Sequence, residues 1–248
     1  MIAARTQLLW RLLCVSFAAF GLITGAANAQ QASRPVGDPR DKELREEWDW
    51  HTQYRADNLR VRALPRRPTI VFMGDSITEG WPQQTPSFFV AGRIGRGISG
   101  ETTAQMLTRF QQDVIDLKPR VVHIMAGTND IAGLVALISP EETEANIRSM
   151  LELAKAHGIG VILASIPPAD HFSWRQGLET ASKIRALNRW LSAYAKTSGA
   201  VYVDYWSVLH DGDAMRKSFT ADGVHPNEAG YKTMAPIANE AIRAALRR

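Results

Sequence analysis

Five short apolar runs, each separated from the next by a longer stretch, most constrain what this chain can fold into. Residues 69–73, 120–125 and 160–166 are nearly all apolar, and residues 90–94 and 200–203 are weaker examples. Runs of this kind suit strands buried on both faces, as in a parallel sheet. The intervening stretches carry helical signals. Over residues 102–117, Met106, Leu107, Phe110, Val114, Ile115 and Leu117 fall on or near one face of a helix. Residues 139–157 open on Ser139-Pro140-Glu141-Glu142, where serine caps, proline suits the first turn and Glu142 closes a capping box. Gly158 stops that helix, and Pro167-Pro168 end the strand that follows. Residues 178–197 and 228–246 complete the set, with Pro236 a place for a kink. Strands alternating with helices predict the α/β class: a parallel sheet, right-handed crossovers and helices on both faces. Ligands of such sheets bind beyond the carboxyl ends of the strands, so the residues after each strand matter most.

The 248 residues are 45% hydrophobic and 22% charged, which excludes a disordered, collagenous or coiled-coil chain. The net charge is +4, and Arg5 and Arg11 supply two of those charges. That excess is too small and too scattered for nucleic-acid binding. Cys14 is the only cysteine, so neither a disulfide framework nor a cysteine zinc site is available. Residues 1–29 combine a basic start, an apolar core at 12–23 and the site Ala27-Asn28-Ala29, the pattern of a signal peptide. The apolar core is shorter than the roughly 20 residues a spanning helix needs. The expected protein is therefore exported, periplasmic or extracellular, without stable membrane insertion once the signal is removed. Residues 30–60 are expected to form a polar leader and an N-terminal helix, with Leu44, Trp48, His51 and Leu59 near helical spacing. Residues 61–248 form the main domain.

Four segments fall after strands or before the last helix. They are Gly74-Asp75-Ser76-Ile77-Thr78-Glu79-Gly80, Gly97-Ile98-Ser99-Gly100-Glu101-Thr102, Gly127-Thr128-Asn129-Asp130 and Asp222-Gly223-Val224-His225-Pro226. Together they bring the parts of a nucleophilic hydrolase to one rim of the sheet. A serine hydroxyl needs a base to take its proton, and histidine has the pKa for that work. His225 needs a carboxylate to fix its tautomer, and Asp222 lies three residues before it. A tetrahedral intermediate needs donors aimed at its oxyanion, which the N–H groups of Ser76 and Gly100 and the Asn129 amide can supply.

These four blocks, in this order, closely resemble those of the SGNH (GDSL-like) hydrolases, from about residue 69 to the C-terminus. The resemblance implies a flavodoxin-like three-layer α/β/α sandwich with a five-stranded parallel sheet in the order 2-1-3-4-5. It implies ester hydrolysis with no metal and no cofactor. By position, Ser76 is the nucleophile, His225 and Asp222 complete a triad, and Ser76, Gly100 and Asn129 form the oxyanion site. One departure is visible: many relatives have Asn-Arg-Gly before Ile-Ser-Gly, where this chain has Gly95-Arg96-Gly97. The serine is not in a Gly-x-Ser-x-Gly elbow, which disfavours the α/β-hydrolase fold.

Other residues take humbler readings. Asp75 and Asp130 are expected to hold loop N–H groups, and His123 to be a core residue. Residues 167–177 should overhang the site, so His171, Trp174 and Arg175, together with Trp81, are candidate substrate contacts. The expected substrate is a small-molecule or glycan ester, most simply an acetyl ester of carbohydrate. The alternatives are a lysophospholipase, thioesterase or arylesterase acting on longer or aromatic acyl groups, and a non-catalytic glycan-binding module. No oligomeric state is specified.

Overall fold

The computed structural model describes residues 52–248, except Ala91 and Ala136. The signal segment, the leader up to residue 51 and the candidate helix positions Leu44, Trp48 and His51 lie outside the described residues. Helix α1 (Arg55–Arg62) forms the end of the expected N-terminal helix. It buries Asn58 and Val61, whereas Leu59 is 57% exposed, so Leu59 does not anchor it as the spacing suggested.

Five strands follow: β1 (Ile70–Gly74), β2 (Arg93–Gly97), β3 (Val121–Met125), β4 (Gly160–Ala164) and β5 (Val201–Val203). All pair in parallel, in the expected order β2-β1-β3-β4-β5. The helices between them are α2 (Ser76–Gln84), α3 (Thr103–Asp113), α4 (Thr128–Ala132), α5 (Pro140–Ala156) and α6 (Thr180–Ser198). After β5 come α7 (Trp206–Leu209), a two-residue hairpin β6–β7 (His210–Asp211 and Ala214–Met215) and α8 (Glu228–Leu246). Alternate residues of each strand feed two cores. Val71, Met73, Val122, Ile124 and Leu163 meet the apolar faces of α3, α5 and α6. Ile70, Phe72, Val121, Met125 and Ile162 meet α2 and α8. The result is the expected three-layer sandwich.

The helices have local causes. Ser139 and Glu142 form the anticipated capping box of α5, and Thr102 with Gln105 forms a second one on α3. Helix α8 continues through Pro236.

Three boundaries differ from the sequence reading. The second strand lies at Arg93–Gly97, not at 90–94. Val90 is exposed, and the strand instead carries a buried cation. Arg96 donates to Asn58 Oδ1 at 2.9 Å and to Asp57 Oδ2 at 2.7 Å. The third helix ends at Asp113, and a separate turn at Ile115–Leu117 leads to Lys118 in the left-handed region. Strand β4 ends at Ala164 because Ile166 N–H leaves the ladder and donates to Asn188 Oδ1 on α6 at 2.7 Å.

Candidate active site

The register sets Gly74, Gly97 and Met125 side by side at the carboxyl edge of three neighbouring strands. The loops that leave this edge therefore start together. Ser76 is the first residue of α2, directly after the N-cap Asp75, whose Oδ1 accepts the Ile77 N–H at 3.0 Å. Ser76 N–H, in the first turn, has no partner within the helix. Helix α2 has only a weak sequence pattern, since Gly80 and Pro82 interrupt it.

His225 arrives on the segment before α8. Asp222 Oδ1 accepts the N–H groups of Val224 at 2.9 Å and His225 at 2.8 Å, folding the segment into a tight turn. Asp222 Oδ2 lies 2.6 Å from His225 Nδ1, and His225 Nε2 lies 2.8 Å from Ser76 Oγ. With the ring proton on Nδ1 facing the carboxylate, Nε2 is free to accept the serine hydroxyl proton. Partial burial works to raise the Asp222 carboxyl, but the N–H groups of His225 and Val224 outweigh it and bring it down to about 2. The carboxylate thus stays ionised at neutral and mildly acidic pH.

Gly100 follows β2 with φ at 80°, a conformation that glycine adopts without penalty. Next to it, Glu101 is buried. Its carboxylate receives Arg109 Nε at 2.7 Å and Nη2 at 2.5 Å, while Arg109 Nη1 reaches Asp113 at 2.8 Å. Burial pushes the Glu101 carboxyl up to about 7, against the opposing pull of Arg109. The backbone carbonyl of Glu101 accepts Asn129 Nδ2 at 2.9 Å. An amide has two N–H donors, so this bond orients Asn129 and leaves a second donor available. Asp130 accepts Thr103 N–H at 2.9 Å and Thr143 Oγ1 at 3.3 Å, tying the third block to α3 and α5.

Ser76, Gly100, Asn129 and His225 line one cleft of about 320 Å3, walled by Leu134 and Trp174. Trp174 is 44% exposed, stacks on buried Phe172 at 5.2 Å and sits 6.5 Å from the His225 ring. Leu134 was missed by sequence reasoning, although its place five residues after Asn129 puts it on the loop leaving the third block.

Three other candidates lie elsewhere. Trp81 is fully buried, sandwiched by Phe88 at 4.9 Å and Tyr231 at 5.5 Å, because its position on α2 faces the core shared with α8. It is a packing residue and not a wall of the cleft. His171 is exposed and pairs with Asp170 at 2.7 Å. Arg175 lines a separate apolar pocket of about 200 Å3 with Leu137, Leu178 and Leu187. His123 is a core residue: it bonds Tyr205 Oη at 2.9 Å, and burial pushes its pKa down to about 3.

The site can be set beside known proteins. The sequence profile of the GDSL-like lipase/acylhydrolase family matches residues 72–233. The crystal structure of a GDSL-like lipase from Bacteroides thetaiotaomicron is 42% identical with a TM-score of 0.74, the match covering 79% of this chain and 98% of that one. The uncharacterized lipoprotein YqeF of Bacillus subtilis is 38% identical over 138 residues, spanning 48% of this chain and 57% of that protein's length. An acetylxylan esterase of Geobacillus stearothermophilus is 25% identical over 204 residues, or 67% of this chain and 90% of that one.

Proposed function

The chain belongs to the GDSL-like lipase/acylhydrolase family and is an ester hydrolase, and from that premise we propose that it cleaves short-acyl carboxylic esters through an acyl-enzyme on Ser76. The observation that carries this reading is the unbroken series Ser76–His225–Asp222, with bonds of 2.8 and 2.6 Å, in one cleft with Gly100 and Asn129.

In the first step Ser76 Oγ attacks the ester carbonyl carbon and its proton passes to His225 Nε2. Asp222 stabilises the resulting imidazolium. The oxyanion accepts the N–H groups of Ser76 and Gly100 and the free amide hydrogen of Asn129. On collapse, His225 returns the proton to the departing alcohol oxygen. Water then attacks the acyl carbon, again giving its proton to His225, and the second collapse releases the acid and restores Ser76. The enzyme is proposed to be exported by its first 29 residues and to act on acetylated carbohydrate. In support, half-exposed Trp174 offers a stacking face beside His225, and one relative is named an acetylxylan esterase.

One observation favours the alternative of longer or aromatic acyl groups. The apolar pocket of about 200 Å3 borders the loops that wall the cleft; exposed Leu137 lines it, and Leu134 and Val135, also exposed, lie on the segment between the two. An apolar cavity of about 150 Å3 is enough to hold benzene.

Hydrolysis of p-nitrophenyl esters from acetate to palmitate, with acetylated xylo-oligosaccharides alongside, separates these readings. Acetate activity that falls with chain length and is absent from Ser76→Ala supports the first. A rising profile supports the second. Activity retained in Ser76→Ala overturns the mechanism.

A further inference from the structure

The segment from Gln53 to α1 lies ahead of the region matched by the family profile, yet it reaches the loop that presents Gly100. Tyr54 Oη donates to the carbonyl of Gly97 in a short hydrogen bond. The Arg96 guanidinium sits 4.6 Å from the Tyr54 ring centroid, and Asp57 and Asn58 of α1 hold that guanidinium in turn. Asn58 Nδ2 also donates to Asp113 Oδ1 at 2.5 Å. One residue before Tyr54, Gln53 Nε2 donates to Glu79 Oε1 at 3.0 Å. Glu79, one turn after Ser76 on α2, uses Oε2 to accept both the N–H of Ser99 at 2.9 Å and the Ser99 hydroxyl in a short bond.

Gly97 and Ser99 are thus each held from outside, two residues apart, immediately before Gly100. A Gly-Ile-Ser-Gly loop has little stiffness of its own, because glycine leaves the backbone many conformations. Oxyanion donors contribute most when they are fixed before the reaction. Burial pushes the Tyr54 phenol up to about 12, so it remains a hydrogen-bond donor throughout the useful pH range.

We propose that this N-terminal arm is part of the catalytic apparatus. Tyr54, and Glu79 backed by Gln53, are positioning residues that hold residues 97–100 so that the Gly100 N–H faces the developing oxyanion. The proposal rests on the acyl-serine reading above. It gives the arm a role in rate and not in substrate affinity.

The test uses the full chain with Tyr54→Phe, Glu79→Ala and Glu79→Gln, assayed on p-nitrophenyl acetate well below each variant's melting temperature. Tyr54→Phe and Glu79→Ala should each lower kcat about tenfold, short of the 10²–10³ expected for deleting a donor outright. KM should stay within twofold. An alkyl boronic acid, which adds to Ser76 as a tetrahedral anion, should lose affinity by a similar factor. Glu79→Gln keeps an oxygen acceptor for Ser99 and should recover most of the rate. Glu79 is partly exposed, so Glu79→Ala carries the test alone if Tyr54→Phe fails to fold. An unchanged kcat, or a raised KM at constant kcat, overturns the proposal. Ser76→Ala separates the two failures. An active Ser76→Ala sinks the acyl-serine reading, whereas an inactive one beside unaltered arm variants sinks the positioning role alone.

Discussion

Gly97→Ala tests how tightly the site depends on the contact between β2 and the start of α2. A Cβ at residue 97 would lie 2.1 Å from the nitrogen of Glu79, 2.5 Å from the carbonyl carbon of Thr78 and 2.7 Å from the oxygen of Asp75. All three are backbone atoms of the turn that carries Ser76, so no side chain can swing aside. Ordinary contact begins near 3.4 Å, and 3.4 less 2.1 requires about 1.3 Å of separation between strand and helix. Overpacking of this kind destabilises by about 1–3 kcal/mol, sometimes more. At about 2–4 °C per kcal/mol for a domain of this size, melting should fall by about 2–12 °C. The larger effect is on rate. The same displacement pulls Ser76 away from His225, now 2.8 Å distant, and a misplacement of about 1 Å can cost 10² in rate. Gly160→Ala is the control, since its nearest neighbours are 3.5 Å away and its φ is not positive. It should melt at or slightly above the parent temperature, because alanine restricts the unfolded chain. Thermal unfolding and kcat/KM on p-nitrophenyl acetate measure both. If Gly97→Ala matches Gly160→Ala in melting and rate, the close approach does not set the site geometry.

Other outcomes follow from the same structure. Asp222→Asn should leave the fold intact and lower kcat by about 10⁴, as loss of the orienting carboxylate does in the template triad; activity within tenfold of the parent would remove Asp222 from the relay. The acid limb of the rate profile should carry no protonation of Asp222, because its carboxyl is held down to about 2; a carboxyl resonance of Asp222 that titrates above pH 4 would contradict this. Burial raises the Asp75 carboxyl to about 6, despite the Ile77 N–H that favours its ionised form. The folded state therefore holds this proton more tightly than the unfolded chain. Its contribution is full below about pH 4 and is lost as pH rises through 6, so the melting temperature should fall across that window. Asp75→Asn, which keeps the Oδ1 cap, should flatten the fall, and an unchanged slope would reassign it. Trp174→Ala should raise KM for acetylated xylo-oligosaccharides several-fold while leaving kcat on p-nitrophenyl acetate near the parent value; equal effects on both would show that Trp174 does not read the sugar.

Much of the fold was legible because it is written in local period. Strands β1, β3 and β4 are apolar on consecutive residues, and that pattern has few other uses in a chain of this composition. Strand β2 was misplaced because its burial depends on partners distant in sequence. Arg96 reads as a surface cation until Asn58 and Asp57 are folded against it. The same holds for Arg109, which looks like any charge on an amphipathic helix but lies fully buried between Glu101 and Asp113. Pairwise satisfaction of buried charge has no periodicity, so a linear reading cannot see it.

The site divides along the same line. The blocks holding Ser76, Gly100, Asn129 and His225 could be picked out because each leaves a predicted strand or enters a predicted helix. Which way a loop side chain points is not encoded in this way, and Trp174, His171 and Arg175 look equivalent in sequence. The structure puts only Trp174 on the cleft. What gathers the blocks is the narrowness of the strand ends. At Gly74 a Cβ would meet Thr78 Oγ1 at 2.0 Å and the Met125 carbonyl at 2.6 Å, and at Gly97 it would enter the backbone of α2. These two glycines are direct partners across β1 and β2. Removing both side chains lets α2 cross the edge of the sheet close enough for Ser76 N–H and Gly100 N–H to share one cleft. A larger residue at either glycine would separate the groups that the proposed mechanism brings to a single oxygen, so in that reading the glycines matter to the chemistry as the serine does.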